Sequence, residues 1–248
     1  MIALVTGASK GIGAACARAL SEAGHRVVLV SRDEEALQQV ADALPGESLV
    51  VPADMLDPAA IDAAFVRVEE EWGPVAILVV NAGAAMSAPL VRTSDEDWQR
   101  MLDLNLTAPF RCLRRALPAM TSAGFGRVVV IASVAGKAGS ARIAAYTASK
   151  HGVLGLVRAA SSEVARTGVT VNAVCPGYVD TPMTERSVAD IATGTGRSPE
   201  EAREVLANMQ PIGRLVSVAE VAATVMLCVD NAAINGQGIN VDGGSVQS

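Results

Sequence analysis

The segment IALVTGASKGIG, Ile2 to Gly13, decides how the rest of the chain is read. It opens with an apolar, partly β-branched run of a kind suited to a strand buried on both faces. The run ends at Thr6, and glycines follow at Gly7, Gly11 and Gly13. Beyond them an amphipathic stretch continues to Gly24, where a helix would stop. A strand, a glycine turn and a helix in that order make a corner for phosphate. The glycines allow a tight turn and close approach to a pyrophosphate, and the first N–H groups of the helix face the negative charge. The spacing is G-x-x-x-G-x-G and not the commoner G-x-G-x-x-G, so the place of the turn after the first strand carries more of the argument than the spacing does.

The alternation persists along the chain. Further strands are predicted at 26–30, 48–53, 76–80, 127–132, 169–174 and 237–241. Helices are predicted at 12–23, 33–43, 58–71, 95–120, 145–166 and 217–229. Asp57-Pro58 reads as an N-cap followed by proline at the first helical position, and Gly168 as a C-terminal stop. Strands alternating with helices imply right-handed crossovers and a parallel sheet covered on both faces. The predicted fold class is α/β: a Rossmann-type, doubly wound parallel sheet of about seven strands, with residues 1–248 as a single domain. One region breaks the rhythm. Between Pro182 and Arg214 no strand is predicted, only a short helix from Pro199 to Met209, and a helical lid is expected at 183–210.

The net charge of −6 and pI near 5.0 exclude the basic surface a nucleic-acid binder needs. The densest basic cluster, Arg111, Arg114 and Arg115, reads as a solvated helix face or a subunit contact. The apolar runs are too short to span a bilayer and the start lacks a signal-peptide pattern, so a cytoplasmic protein without membrane contact is expected. Cys16, Cys112, Cys175 and Cys228 are scattered, and His25 and His151 have no partner at ligand spacing; no metal site is expected.

Several motifs stand in a recognisable order: TGASKGIG at Thr6 to Gly13, NAG at Asn81 to Gly83, LNL at Leu104 to Leu106, Ser133, YTASK at Tyr146 to Lys150, and CPGYVDTPM at Cys175 to Met183. In these the chain resembles the short-chain dehydrogenase/reductase family along essentially its whole length. It is most similar to bacterial 3-oxoacyl-(acyl-carrier-protein) reductases and polyketide ketoreductases. The family often has asparagine where Val80 stands; Asn81 remains, and little consequence is expected.

The resemblance implies an NAD(P)(H)-dependent oxidoreductase that interconverts a ketone and a secondary alcohol. It assigns catalytic roles to Asn105, Ser133, Tyr146 and Lys150. Tyr146 would exchange a proton with the substrate oxygen and Ser133 would hydrogen-bond that oxygen. Asn105 would anchor a water leading from Lys150 to solvent. Tyr146 and Lys150, at i and i+4, share a helix face. An ammonium beside the phenol is expected to lower its pKa from about 10. The cofactor contacts implied are Gly7, Ser9, Lys10, Gly11, Ile12 and Gly13 in the turn, Ser31 and Arg32 after the second strand, and Asp54 and Met55 after the third. Asn81, Ala82 and Gly83 follow, then Tyr146 and Lys150, and finally Pro176, Gly177, Val179 and Thr181 at the nicotinamide end.

NADP(H) is expected over NAD(H), the alternative. Where a carboxylate would repel a 2′-phosphate the chain has Ser31, then Arg32, with Lys10 on the same side. Asp33 and Glu34 oppose this unless they lie on the first turn of the next helix. Substrates stay open among carrier-protein thioesters, CoA thioesters (with NADPH reduction of a 3-oxoacyl thioester favoured) and a small hydroxy acid. A protein that only senses a dinucleotide would be expected to lose Tyr, Lys or Ser, and this chain keeps them. Acyl carrier protein is a candidate partner, with Arg127 and Arg166 near the positions that meet it in such enzymes. The helix from Tyr146 to Arg166 is apolar on more than one face, so one face is expected to pack on a symmetry mate in a homotetramer.

Overall fold

The computed structural model describes residues 1–247. Seven strands form one parallel sheet: β1 (Ile2–Thr6), β2 (Arg26–Ser31), β3 (Ser48–Pro52), β4 (Ile77–Val80), β5 (Gly126–Ile131), β6 (Val169–Pro176) and β7 (Gly238–Val241). Their order is β3-β2-β1-β4-β5-β6-β7. The chain winds outward from β1 in one direction, then returns to β4 on the other side. The crevice where the winding reverses, beyond the carboxyl ends of β1 and β4, is where open α/β sheets hold ligands.

The helices are α1 (Gly11–Glu22), α2 (Glu34–Asp42), α3 (Pro58–Glu71), α4 (Asp95–Leu102), α5 (Ala108–Ala123), α6 (Ala144–Val164), α7 (Pro182–Thr195), α8 (Pro199–Asn208) and α9 (Val218–Asp230). Alternate strand residues point to opposite faces, so the core is two layers. Leu4, Val28, Leu78, Val128 and Val171 pack with residues of α3, α5 and α6. Ala3, Val5, Leu29, Val79 and Val129 pack with residues of α1 and α9 on the other face.

Two expectations are corrected. The helix predicted at 95–120 contains a π turn, Asp103–Thr107, between α4 and α5. Such turns insert one extra residue and occur often at functional sites; this one carries Asn105. The region after β6 holds two helices, not one. Thr181 caps α7 with Pro182 at its start, the pattern read correctly at Asp57-Pro58. Helices α7 and α8 share a small core of Val188, Ala202 and Leu206, separate from the two main layers. Val179 and Val216 pair at the neck of this lid.

Candidate active site

The glycine turn is built as its sequence requires. Gly7 and Gly11 have φ of +66° and +58°, the left-handed region that favours glycine. Space is as restrictive as conformation: a Cβ on Gly7 would lie 2.8 Å from the Asn81 amide nitrogen. Asn81 binds the turn to β4, donating to the carbonyls of Thr6 and Gly7, while the Thr6 hydroxyl accepts the N–H groups of Asn81 and Ala82. Val80 is buried in the core, where an apolar side chain fits.

A cleft of about 680 Å³ runs from this turn along the carboxyl ends of the strands. Gly7, Ser9, Lys10, Gly11, Ile12, Ser31, Arg32, Asp54, Met55, Asn81, Ala82, Gly83 and Thr181 all line it. Gly13 does not. It is buried, and a side chain there would lie 2.2 Å from the Gly7 carbonyl oxygen, so this glycine lets α1 pack against the turn and does not face a ligand. The sequence reading missed Arg100 of α4 and Arg186 of α7, which also line the cleft. Four cations thus face two carboxylates, Asp33 and Asp54, in a protein whose net charge is −6. Asp33 is the N-cap of α2, accepting the Ala36 N–H, and it lines the cleft, so the expectation that it would lie on the outer first turn is corrected. One Asp54 oxygen accepts the Leu56 N–H and the other lies 4.0 Å from Arg32.

The cleft continues into a smaller cavity of about 100 Å³. Asn105, Ser133, Tyr146 and Lys150 converge there, with Pro176, Gly177, Val179 and Thr181 on the facing wall. Ser133 lies two residues beyond β5 and caps a short 3₁₀ turn, accepting the Ala135 N–H at 3.1 Å. Its own proton remains available to a ligand oxygen. Lys150 is 6% exposed and donates to the Ile131 carbonyl at 2.9 Å. Asn105 closes a two-bond clamp on Ala84, accepting its N–H at 3.1 Å and donating to its carbonyl at 2.9 Å. Its side-chain oxygen and nitrogen are therefore both engaged by Ala84.

The electrostatics correct one expectation. Burial is the largest influence on Tyr146 and raises its pKa; Ser133 acts in the opposite direction. The phenol carries its proton at neutral pH. Burial also lowers Lys150, to about 8, with Cys175 acting weakly against it. This pair suits proton donation: a protonated phenol faces the cavity, backed by an ammonium poised to give up its proton.

Arg127 is also corrected. It is 8% exposed, donates to the carbonyls of Val229, Gly126 and Gly168, and lies over the Phe125 ring. It ties strand ends together and is not free to meet a partner. Arg166 is exposed. No cluster of metal-ligating side chains occurs and no helix is long and apolar enough to cross a membrane, among the described residues.

Comparison with known proteins agrees with this geometry. The sequence profile of the family described as short chain dehydrogenase matches residues 1–192. A protein described as a ketoacyl reductase of the granaticin polyketide synthase, from Streptomyces violaceoruber, is 44% identical over 98% of this chain and 92% of its own. A D-beta-hydroxybutyrate dehydrogenase of Rhizobium meliloti is 38% identical, covering 98% and 97%. The 3-oxoacyl-[acyl-carrier-protein] reductase FabG of Escherichia coli is 37% identical, covering 98% and 96%. A point variant of actinorhodin polyketide ketoreductase, solved with NADPH, superposes with a TM-score of 0.93 at 40% identity, covering 98% and 96%.

Proposed function

The chain belongs to the short-chain dehydrogenase family, and we propose that it reduces the 3-keto group of an acyl thioester with NADPH. The observation that carries the substrate class is the wall of the reactive cavity. Lys150 is the one cation among the described residues lining it, and that ammonium is held by the Ile131 carbonyl. A free hydroxy acid would bring a carboxylate beside the reacting carbon with no other cation to meet it. A thioester is neutral there, and Ile12, Val179 and Met183 offer it apolar surface.

The bound dinucleotide supplies the hydride. Lys10 and Arg32 would hold its 2′-phosphate, and the N-terminus of α1 its diphosphate. Ser133 donates a hydrogen bond to the substrate oxygen, polarising the carbonyl. Tyr146 gives that oxygen its proton as negative charge develops. Lys150 stands behind Tyr146 and restores the proton. Gly83 must stay bare, because a Cβ there would lie 2.8 Å from the Asn105 amide oxygen.

A second reading, an NAD-dependent 3-hydroxy acid dehydrogenase, draws on the Rhizobium relative, but the cavity wall and Arg32 oppose it. Comparing acetoacetyl thioester with free acetoacetate separates the two. The proposal requires turnover of the thioester and poor use of the acid.

The remaining proposals concern setting. Acyl carrier protein stays a candidate partner on the strength of the FabG relative. We place the protein in the cytoplasm, in keeping with four free, buried cysteines. We also propose a homotetramer: α6 buries one face on the sheet and leaves Gly155 and Ala159 exposed, a flat strip suited to a second helix. Light scattering that gives a monomer mass at micromolar concentration would refute it.

A further inference from the structure

Gln210 is a polar side chain at 1% exposure, at the foot of the lid just beyond α8. Burying an amide this deeply is costly unless its groups are satisfied. Here they are. Its oxygen accepts the Tyr178 N–H at 3.1 Å, and its nitrogen donates to the Tyr178 carbonyl at 3.1 Å and the Arg214 carbonyl at 2.7 Å. One side chain thus holds both polar groups of a single residue in the strip from Pro176 to Thr181. It also fills the space beside the preceding residue. A Cβ on Gly177 would lie 2.3 Å from the Gln210 oxygen.

That strip is the wall of the reactive cavity. Pro176, Gly177, Val179 and Thr181 line it opposite Ser133 and Tyr146. The same strip leads into the lid, since Thr181 caps α7. Other contacts at this junction are backbone pairs, Gly177 N–H to the Val241 carbonyl at 3.0 Å and Val216 N–H to the Tyr178 carbonyl at 2.9 Å, a Thr184 hydroxyl donating to the Val179 carbonyl at the start of α7, and a partly exposed ion pair between Arg203 of α8 and Asp180 at 2.7 Å, which solvent screens. Gln210 is the buried side chain that joins the far end of the lid to the wall.

We propose that Gln210 is a positioning residue that couples the lid to the catalytic wall, fixing which face of the ketone meets the hydride. The lid has its own small core, so α7 and α8 can shift as one body about the Val179–Val216 neck. Through Gln210 such a shift reaches the Tyr178 peptide and the cavity lining. Misplacing a reacting group by about 1 Å can cost a hundredfold in rate, so a loosened wall also lets the wrong face compete.

The proposal rests on the ketone-reduction reading, and its test has an arm that does not. In the first arm, amide exchange of 176–181 and of α7 and α8 is followed with and without NADPH, in the parent protein and in Gln210→Met. In the parent both segments should slow together; in Gln210→Met the lid should respond and the wall should not. In the second arm the enantiomer ratio of the alcohol formed from an acetoacetyl thioester is measured for the parent, Gln210→Met and Gln210→Glu. Both variants should lower it about tenfold or more. Partial unfolding changes the rate but not this ratio, so a merely structural role leaves it unmoved. Gln210→Glu loses both donors and turns a carboxylate toward two carbonyls. Joint protection in Gln210→Met, or an unchanged enantiomer ratio in both variants, overturns the proposal. Absence of ketone reduction by the parent overturns the reading of function instead, and the exchange arm still decides the coupling.

Discussion

The Lys150 ammonium lies 5.7 Å from the centre of the Tyr146 ring and donates to the Ile131 carbonyl, 2.9 Å away. The two side chains share a helix face without forming a direct ion–phenol contact. Burial therefore sets the phenol pKa and keeps Tyr146 protonated. The protein is prepared as a proton donor, the state that reduction of a carbonyl requires.

Tyr146→Phe removes that proton and keeps the ring. Turnover should fall about 10²-fold or more, with NADPH affinity nearly unchanged. Steady-state kinetics together with a binding titration check both halves; near-normal turnover would remove Tyr146 from the mechanism.

Lys150 makes stability depend on pH. Its pKa is about 8 in the folded protein against an ordinary 10.5. Below about 8 both folded and unfolded states hold the proton, and the penalty of burying the charge is fully present. Between about 8 and 10.5 the unfolded chain binds more protons, so stability rises with pH. Relative to Lys150→Met, the parent should gain up to about 3 kcal/mol across that window. Denaturant melts of both proteins at about pH 7 and about pH 10.5 test this; a constant difference, or a gain in the opposite direction, contradicts the assignment.

Gly83→Ala should break the clamp between Asn105 and Ala84. The added methyl would lie 2.8 Å from the Asn105 oxygen and 3.8 Å from the Lys150 nitrogen. Overpacking of this kind typically costs about 1–3 kcal/mol, and turnover should fall about tenfold as the proton path shifts. A variant with parent-like melting and turnover would show that the π turn adjusts freely.

Arg32→Ala should weaken NADPH binding about tenfold and leave NADH nearly unaffected, because only NADPH carries the 2′-phosphate. The estimate sits at the low end for a charged contact, since Arg32 is 71% exposed and lies 4.0 Å from Asp54. Dissociation constants at one salt concentration decide it. Equal loss for both cofactors would move Arg32 to the diphosphate.

Much of this was legible in the sequence for identifiable reasons. Buried parallel strands are continuous apolar runs, so β1 was read to its observed ends and β4 to within a residue. Caps and glycine stops marked α3 and the left-handed Gly24 and Gly168. The signal for α7 lies in Thr181-Pro182, but Gly194 and Gly196 further on give the stretch the pattern of a loop. The π turn was not legible, since a helix with one extra residue has nearly the same local pattern; what requires it is the reach of Asn105 to Ala84 across the fold. Arg127 read as exposed because a charge usually is, and only the three converging carbonyls show otherwise. Gln210 carries no pattern of its own in the sequence, and its burial depends on Tyr178, brought near by the neck of the lid.

The most direct test of the central claim is the initial rate of cofactor turnover by the purified protein in two opposed assays. One follows NADPH oxidation with an acetoacetyl thioester; the other follows NAD⁺ reduction with free 3-hydroxybutyrate. The account predicts rapid NADPH oxidation on the thioester, slower oxidation of NADH, and little reaction with the hydroxy acid. Efficient NAD⁺ reduction by 3-hydroxybutyrate, with the thioester left unreduced, would contradict it.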